Sequence, residues 1–354
     1  MSLLAERPGR TAEPANSLRE GGRLSQLHLV AIALGSLVFT SLLFAVTGFG
    51  GRAGFVVVLV LVYAVAQTVV SFLREGRRQA ADRMLTLGIR LAVFVALLPL
   101  VLVIGYTIYR GAARITPYFL THSMAGVGPL DDGGGVYHAA IGTLEQVLLT
   151  ALIAVPLGLL VAIYLAEYGR GRFASLVRFV VDVMTGVPSI VAGLFIYAFY
   201  VIPRGPSGFA AALALSILML PVVVRSAEEM IKLVPDSLRE ASYALGVPRW
   251  KTILKIVLPT ASAGITTGVM LAVARVTGET APLLLTAQSL DRINSDPFNG
   301  RQSALASYVY DQAASAGDNF VDRAWGAALM LILIVLVLYV AARLLTRRNS
   351  LVRS

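Results

Sequence analysis

Long stretches of apolar residues, almost free of charge, recur along this chain and limit what it can fold into. A helix needs about 20 residues, at 1.5 Å each, to cross a hydrocarbon core about 30 Å thick. Stretches of about this length or longer lie at Leu29–Thr47, Phe55–Leu73, Ile89–Tyr109, Ala139–Leu165, Leu176–Ile202, Phe209–Ile231, Thr260–Thr286 and Ala324–Leu345. The sequence therefore predicts an all-α polytopic membrane protein with about eight transmembrane helices.

The composition agrees with this prediction and excludes some kinds of site. Hydrophobic residues make up 57% of the 354 residues and charged residues 14%, whereas soluble domains average roughly 45–50% apolar and about 25% charged residues. The chain has no cysteine, which excludes disulfides, thiolate ligands and a cysteine nucleophile. Its three histidines are scattered along the sequence. We therefore expect neither a metal site nor a cofactor.

The net charge of +10 follows from the loops between the apolar stretches. Cytoplasmic loops of membrane proteins carry an excess of Lys and Arg. Most basic residues fall in the inner loops if both termini are cytoplasmic, so we predict that topology in the cytoplasmic (inner) membrane. Nucleic-acid binding is not expected. Residues 1–28 are polar and are predicted to form a disordered cytoplasmic tail.

A polar segment before the second-last apolar stretch, Ser237–Pro259, has the pattern of two short helices. Ser237 followed by Glu240 is typical of a capping box at a helix start. Gly246 suits the left-handed residue that ends a helix, and Pro248 suits the first turn of the next one. In the second helix an apolar stripe is predicted for Trp250, Ile253, Leu254 and Val257. By itself this pattern favours a membrane-surface linker over a docking site.

The same segment resembles a known loop. Glu240-Ala241, Gly246, Ile256 and Leu258-Pro259 resemble the EAA loop of binding-protein-dependent ABC importer permeases. In that family the loop inserts a coupling helix into a cleft of an ATPase subunit. The resemblance implies that ATPase coupling involves Glu240, Ala241, Gly246, Arg249 and Trp250.

Four longer stretches resemble the PstA-type permeases of phosphate ABC importers, over about residues 88–346. They are TLEQVLLTALIAVPLGLLVAIYLAEYG, DVMTGVPSIVAGLFIY, VVVRSAEEMIKLVPDSLREA and ARVTGETAPLLLT. The resemblance implies the fold of a type I ABC importer transmembrane domain at about residues 138–346, with the coupling loop at 232–259. It also implies four partners: a dimer of PstB-type ATP-binding subunits, a PstC-type second permease, a PstS-type extracytoplasmic phosphate-binding protein and membrane lipid.

Typical members of that family have six spans. The resemblance therefore implies a permease core at residues 87–354, preceded by an extra hairpin and a basic cytoplasmic linker at residues 29–86. It supplies no role for the hairpin.

The stretch ARVTGETAPLLLT places Arg275 and Glu279 four residues apart, on one face if a single helix continues through it. Ionised side chains inside a span cost about 2.5–3.5 kcal/mol on insertion scales and usually face a protein or water-filled interior. One explanation is an ion pair that holds two helices together. The other is an anion pathway, because a guanidinium keeps its charge and offers forked donors to phosphate oxygens. In PstA-type permeases the matching arginine is tied to phosphate movement, which favours the pathway.

Several residues are therefore assigned roles in transport. The predicted translocation pathway comprises Arg275, Glu279, Thr280 and Pro282. Prolines inside spans are either ordinary kinks or hinges, and the hinge candidates are Pro188, Gly186 and Pro156. Glu167 and Asp182 are expected to be solvated or paired with Arg170 or Arg178. His138 is expected at the interface, and the segment around Leu305 as a short helix along the outer surface.

No catalytic residues are predicted, because the chain lacks the Walker A pattern of an ATPase and any cluster of His, Asp or Glu. The leading hypothesis is a non-enzymatic permease subunit of an ATP-driven ABC importer of inorganic phosphate. Its alternatives are a permease for sulfate, molybdate or phosphonate, and an ion-coupled secondary transporter. A membrane-embedded enzyme is a further alternative.

Overall fold

A computed structural model describes residues 24–48, 51–128 and 131–351, and every regular element within these ranges is helical. Most of the predicted tail, residues 1–23, lies outside the described residues. Within the described part, seven helices are long and apolar enough to cross a membrane, and a sharply bent pair of helices raises the number to eight. The predicted all-α polytopic class is confirmed.

The chain divides into two compact units, Met1–Val103 and Ile104–Ser354. The first contains α1 (Gln26–Thr47), α2 (Arg52–Glu75) and the first part of α3 (Arg77–Ala112). The second continues with α4 (Pro117–Thr121), α5 (Tyr137–Ile163), α6 (Gly171–Thr185), α7 (Ser189–Ile196), α8 (Ile202–Arg204), α9 (Gly208–Lys232), α10 (Asp236–Ala244), α11 (Arg249–Thr252), α12 (Leu258–Thr277), α13 (Ala281–Thr286), α14 (Leu305–Ala314) and α15 (Asp318–Leu351).

The first unit is a helical hairpin with polar residues between its helices. At one end the rings of Phe44 and Phe55 meet with centroids 5.3 Å apart. At the other end the backbone N–H of Leu24 donates to Glu75 Oε1 at 2.6 Å. The buried residues of α1 and α2 are Ser36, Thr40, Gln67 and Ser71, whereas most large apolar side chains are exposed. This arrangement suits a lipid solvent.

Helix α9 is the centre of the second unit and packs on α5 and α12 through small residues. Four alanines of α9 are fully buried: Ala210, Ala211, Ala212 and Ala214. A Cβ at Gly158 of α5 would lie 2.7 Å from Val223 Cγ1, so the glycine permits this close approach. Small residues at helix contacts are typical of membrane proteins, where dispersion contacts between close backbones drive association.

Two of the predicted spans are interrupted. Helices α6 and α7 meet at an angle of 102°, with the break at residues 186–188. Helix α12 ends at Thr277, and α13 starts at Ala281 with Pro282 in its first turn. The predictions of continuous helices over residues 176–202 and 260–286 are therefore wrong. Proline lacks an N–H and favours the first turn of a new helix, whereas hydropathy counts it as neutral.

The predicted short helix around Leu305 is confirmed as α14, but it belongs to the core. Leu305 and Tyr308 are buried, and the backbone N–H of Leu305 donates to Thr143 Oγ1 of α5 at 2.7 Å. His138 is also buried, with its ring 5.5 Å from that of Tyr308. The prediction of a surface helix is wrong, because the 287–304 segment returns α14 to α5. His138 lies in the first turn of α5 and faces the protein interior.

Candidate functional site

The two interrupted spans meet each other. Helix α7 follows the break that contains Gly186 and Pro188, and α13 follows the break after Thr277; the two short helices pack together. A Cβ at Gly193 of α7 would lie 2.7 Å from Pro282 Cα of α13, closer than real Cβ contacts allow. The structure thus connects the predicted hinge at Gly186 and Pro188 with the predicted pathway residue Pro282.

Arg275 lies in the last turn of α12 with an exposed side chain, and no described residue forms a hydrogen bond or ion pair with its guanidinium. Glu279 is half-buried beyond the end of that helix, where its backbone N–H donates to Val276 O at 3.2 Å. The prediction that Arg275 and Glu279 share one helical face is wrong, because α12 stops at Thr277. The structure also shows no ion pair between them.

One face of α12 carries exposed residues of mixed polarity, spaced three or four apart: Thr260, Ala263, Thr267, Leu271 and Arg275. The opposite side is buried in the second unit and includes Ile265 and Val276. An arginine within a span is costly in lipid and is found where water or protein faces it. This face of α12 therefore suits an aqueous path or the surface of a second subunit.

The cytoplasmic loop forms two helices around a glycine turn. Gly246 has a φ of +74°, which confirms the predicted left-handed residue. The hydroxyls of Ser242 on α10 and Thr252 on α11 lie 2.8 Å apart and are buried. The predicted capping box at Ser237 is wrong: α10 begins at Asp236, so its N-cap is Pro235, two residues before Ser237, and it has no side-chain cap.

A buried ion pair anchors this loop to α5. Glu167 lies in the π-helical turn Tyr164–Tyr168 after α5, and its Oε1 accepts hydrogen bonds from Arg239 Nε and Nη2 at 3.1 and 2.9 Å. Arg249 donates to the backbone carbonyl of Glu167 and lies over the ring of Tyr168. The expectation that Glu167 is solvated or paired with Arg170 or Arg178 is wrong.

A second buried carboxylate fastens α6 to α9. Glu228 of α9 accepts from Arg178 Nε at 3.2 Å and from Lys232 Nζ at 2.7 Å. Asp182 of α6 is 55% exposed, as expected of a solvated carboxylate, but it pairs with Arg225 of α9 and not with Arg170 or Arg178. Sequence reasoning missed both networks. The sequence offered only a general signal: a carboxylate that becomes buried beside an apolar helix needs a cationic partner.

The loop presents an exposed surface with large apolar side chains. Leu245 is 83% and Trp250 56% exposed, and Glu240, Ala241 and Gly246 are exposed beside them. The predicted stripe is only partly right. Ile253 and Val257 are buried, while Trp250 and Leu254 are exposed, because the π-helical turn Ile253–Val257 changes the helical period. Grouped exposed apolar residues on a polar loop are typical of a protein interface.

Comparisons with known proteins identify the family of this chain. The family of binding-protein-dependent transport system inner membrane components matches residues 154–350. The phosphate transport system permease protein PstA 1 of Mycobacterium tuberculosis is 48% identical over 282 residues, which cover 78% of this chain and 92% of that protein. PstA of Pasteurella multocida is 41% identical over 269 residues, covering 75% and 94%.

Among solved structures, a chain of the MetNI methionine ABC transporter aligns with a TM-score of 0.48 and 18% identity, covering 60% of this chain and 94% of that one. The family match spans more than half of the chain, and the relatives are aligned over most of their length. The chain therefore belongs to the binding-protein-dependent transport system inner membrane components and, within them, to the PstA-type permeases.

Proposed function

We propose that this chain is the permease subunit of an ATP-driven ABC importer that carries inorganic phosphate across the cytoplasmic membrane. It is a multi-pass inner membrane protein of a family whose permeases work with an ATPase and a substrate-binding protein. The choice of phosphate as the substrate rests on the 48% identity to a phosphate permease over 78% of this chain.

The proposed assembly has this chain beside a PstC-type permease, above a dimer of PstB-type ATP-binding subunits. A PstS-type binding protein delivers phosphate from outside. Both termini are cytoplasmic, and the extra hairpin and linker at residues 29–86 precede the permease core at residues 87–354. ATP hydrolysis is assigned to the partner, since the chain carries no Walker A pattern.

Phosphate passes along the exposed face of α12 in this proposal. The guanidinium of Arg275 is unpartnered in the described chain, so its forked donors are free for the oxygens of an oxyanion. Glu279 and Thr280 follow in the break, where the carboxylate opposes tight binding and so favours release. Conduction requires that the anion both enters and leaves the site, and a lone guanidinium would hinder its release.

The broken helices supply the moving parts. Helices α7 and α13 are short, and each follows a break, so Gly186 and Pro188 are proposed as hinges with Pro282 in contact through Gly193. Pro156 is retained as a third hinge candidate, although α5 continues through it.

Coupling to ATP is proposed for the loop surface formed by Glu240, Ala241, Gly246, Arg249 and Trp250. Motion of the ATPase moves this surface, and the pair of Glu167 with Arg239 transmits the motion to α5, because the loop is tied there by charge-assisted hydrogen bonds.

The test is reconstitution of the chain with its partner subunits in vesicles, followed by uptake of radiolabelled phosphate, sulfate, molybdate and a phosphonate. We expect ATP-dependent uptake of phosphate that requires the binding protein. Preference for another oxyanion would refute the assignment of phosphate as the substrate. Uptake driven by an ion gradient without the ATPase would refute the importer itself and favour a secondary transporter.

A further inference from the structure

A fully buried arginine in the second turn of α15 has no acidic partner. Arg323 is 0% exposed. Its Nε donates to Gln312 Oε1 at 2.9 Å, and its Nη1 donates to the carbonyl oxygens of Asp131 and Gly133 at 3.0 and 2.9 Å. Its Nη2 has no hydrogen-bond partner, and no carboxylate forms an ion pair with it, among the described residues. A buried charge without a counter-ion is strongly destabilising, so the fold favours a negatively charged ligand beside Arg323.

A second arginine lies against the first. Arg114 Nη2 donates to the same carbonyl oxygen of Gly133 at 3.3 Å, so one oxygen accepts from both guanidinium groups. The Nε of Arg114 is buried and has no hydrogen-bond partner in the described part of the chain. Two like charges held this close repel each other. An anion that contacts both groups replaces this repulsion with two attractions.

Tyr308 of α14 supplies a further donor. It lies four residues before Gln312, on the same face of the helix, and Gln312 contacts Arg323. The Tyr308 side chain is buried, and no described residue bonds to its hydroxyl. Burial raises the pKa of Tyr308, although the charges of Arg323 and Arg114 lower it in part, so the hydroxyl keeps its proton. The unpartnered groups of these three residues can all donate, which favours an anion over water as their ligand.

The acidic residues near this cluster face solvent or are paired elsewhere. Asp131, Asp132 and Asp291 are exposed, and water weakens the interactions of exposed charges. Asp322 pairs with Arg110 at 3.1 Å. A polar pocket of about 350 Å³ is lined by Tyr109, Arg110, Ala113, Arg114 and Asp322. This pocket gives a small ion access to Arg114.

We propose that Arg323, Arg114 and Tyr308 bind one small inorganic anion, and that this anion is chloride. It accepts hydrogen bonds from Arg323 Nη2, Arg114 Nε and the Tyr308 hydroxyl. Phosphate has the same charge sign, but its own hydroxyl groups need acceptors, and the three unpartnered groups are donors. A single-atom ion also needs less space beside fully buried side chains. The bound ion joins α14 and α15 to the segment that follows α3, and none of its ligands belongs to the proposed phosphate pathway.

The test measures the melting temperature of the full-length chain in detergent while sodium chloride replaces sodium gluconate at constant ionic strength. We expect a saturable rise with chloride, because an ion that binds only the folded state stabilises it. Tyr308→Phe should weaken chloride binding about tenfold, which corresponds to about 1.4 kcal/mol, near the lower limit for a hydrogen bond to a charged group. In gluconate this variant should melt no lower than the wild type, because it removes only a buried hydroxyl that no described residue bonds.

Tyr310→Phe is the matched control, because Tyr310 lies on the same helix but is 55% exposed. It should keep the wild-type response to chloride. A wild-type melting temperature that does not change when chloride replaces gluconate would overturn the proposal. So would an unchanged chloride response in Tyr308→Phe, or an equal loss of response in Tyr310→Phe. A saturable rise with sodium phosphate and none with chloride would assign the site to phosphate and overturn the choice of chloride.

Discussion

Removing the carboxylate of Glu167 should detach the coupling loop from the membrane helices. The side chain of Glu167 is 4% exposed and that of Arg239 14%, so Glu167→Gln removes the buried counter-ion of a largely buried guanidinium and leaves only the exposed Asp236 as its partner. Breaking such a pair costs about 3–5 kcal/mol. Arg239 also donates to the carbonyl of Ile231 at 2.9 Å and to Asp236 at 3.1 Å, which places the cost near the lower limit.

A cost of about 3 kcal/mol shifts the equilibrium between anchored and detached loop by roughly a hundredfold. The expected results are faster tryptic cleavage within the loop, weaker retention of the ATPase subunit during purification and reduced phosphate uptake. The membrane helices should keep their α-helical circular dichroism, since Glu167 lies at the end of its helix.

Glu229→Gln is the matched control, because Glu229 is an exposed carboxylate of α9 with no ion pair among the described residues. The charge-reversed double variant Glu167→Arg with Arg239→Glu should recover part of the ATPase retention. If Glu167→Gln matched the control in cleavage, retention and uptake, the anchor would have no part in coupling.

Three further variants test the rest of the site. Arg275→Ala should abolish phosphate uptake in an assembled complex. Adding Glu279→Ala should not restore uptake, because the two residues are not paired. Rescue of uptake by the double variant would favour a scaffold role for Arg275. The side chain introduced by Gly193→Val should overlap α13 and lower complex stability by about 1–3 kcal/mol in thermal unfolding. The control Gly186→Ala introduces a Cβ that meets only an ordinary contact. Equal melting temperatures for the two variants would contradict this packing. Gly246→Val should strain the loop by roughly 1–2 kcal/mol, because valine is unfavourable at a left-handed φ. It should reduce co-purification of the ATPase subunit while the membrane spans stay folded. Unchanged co-purification would refute a role of this turn in ATPase binding.

Much of the architecture follows from local sequence. Hydropathy identifies the membrane spans because the cost of placing a residue in lipid depends mainly on that residue, wherever its neighbours in space lie. The left-handed turn at Gly246 is predictable for the same reason, since backbone sterics act within a few residues. Arg275 could be identified from the sequence, because a single charge in a long apolar stretch is recognisable without knowledge of the fold.

The breaks and the ionic partners were decided by tertiary structure. A proline in an apolar stretch is compatible with a kink, a hinge or a new helix, and packing between α7 and α13 selects the last at Pro282. Arg239 is 72 residues from Glu167 in sequence, and the two meet only because the fold places the first turn of α10 against the turn that follows α5. Local patterns gave Glu167 nearby arginines as partners, but a buried carboxylate pairs with the cation that packing brings within hydrogen-bond distance. That choice depends on long-range contacts, which no local pattern encodes.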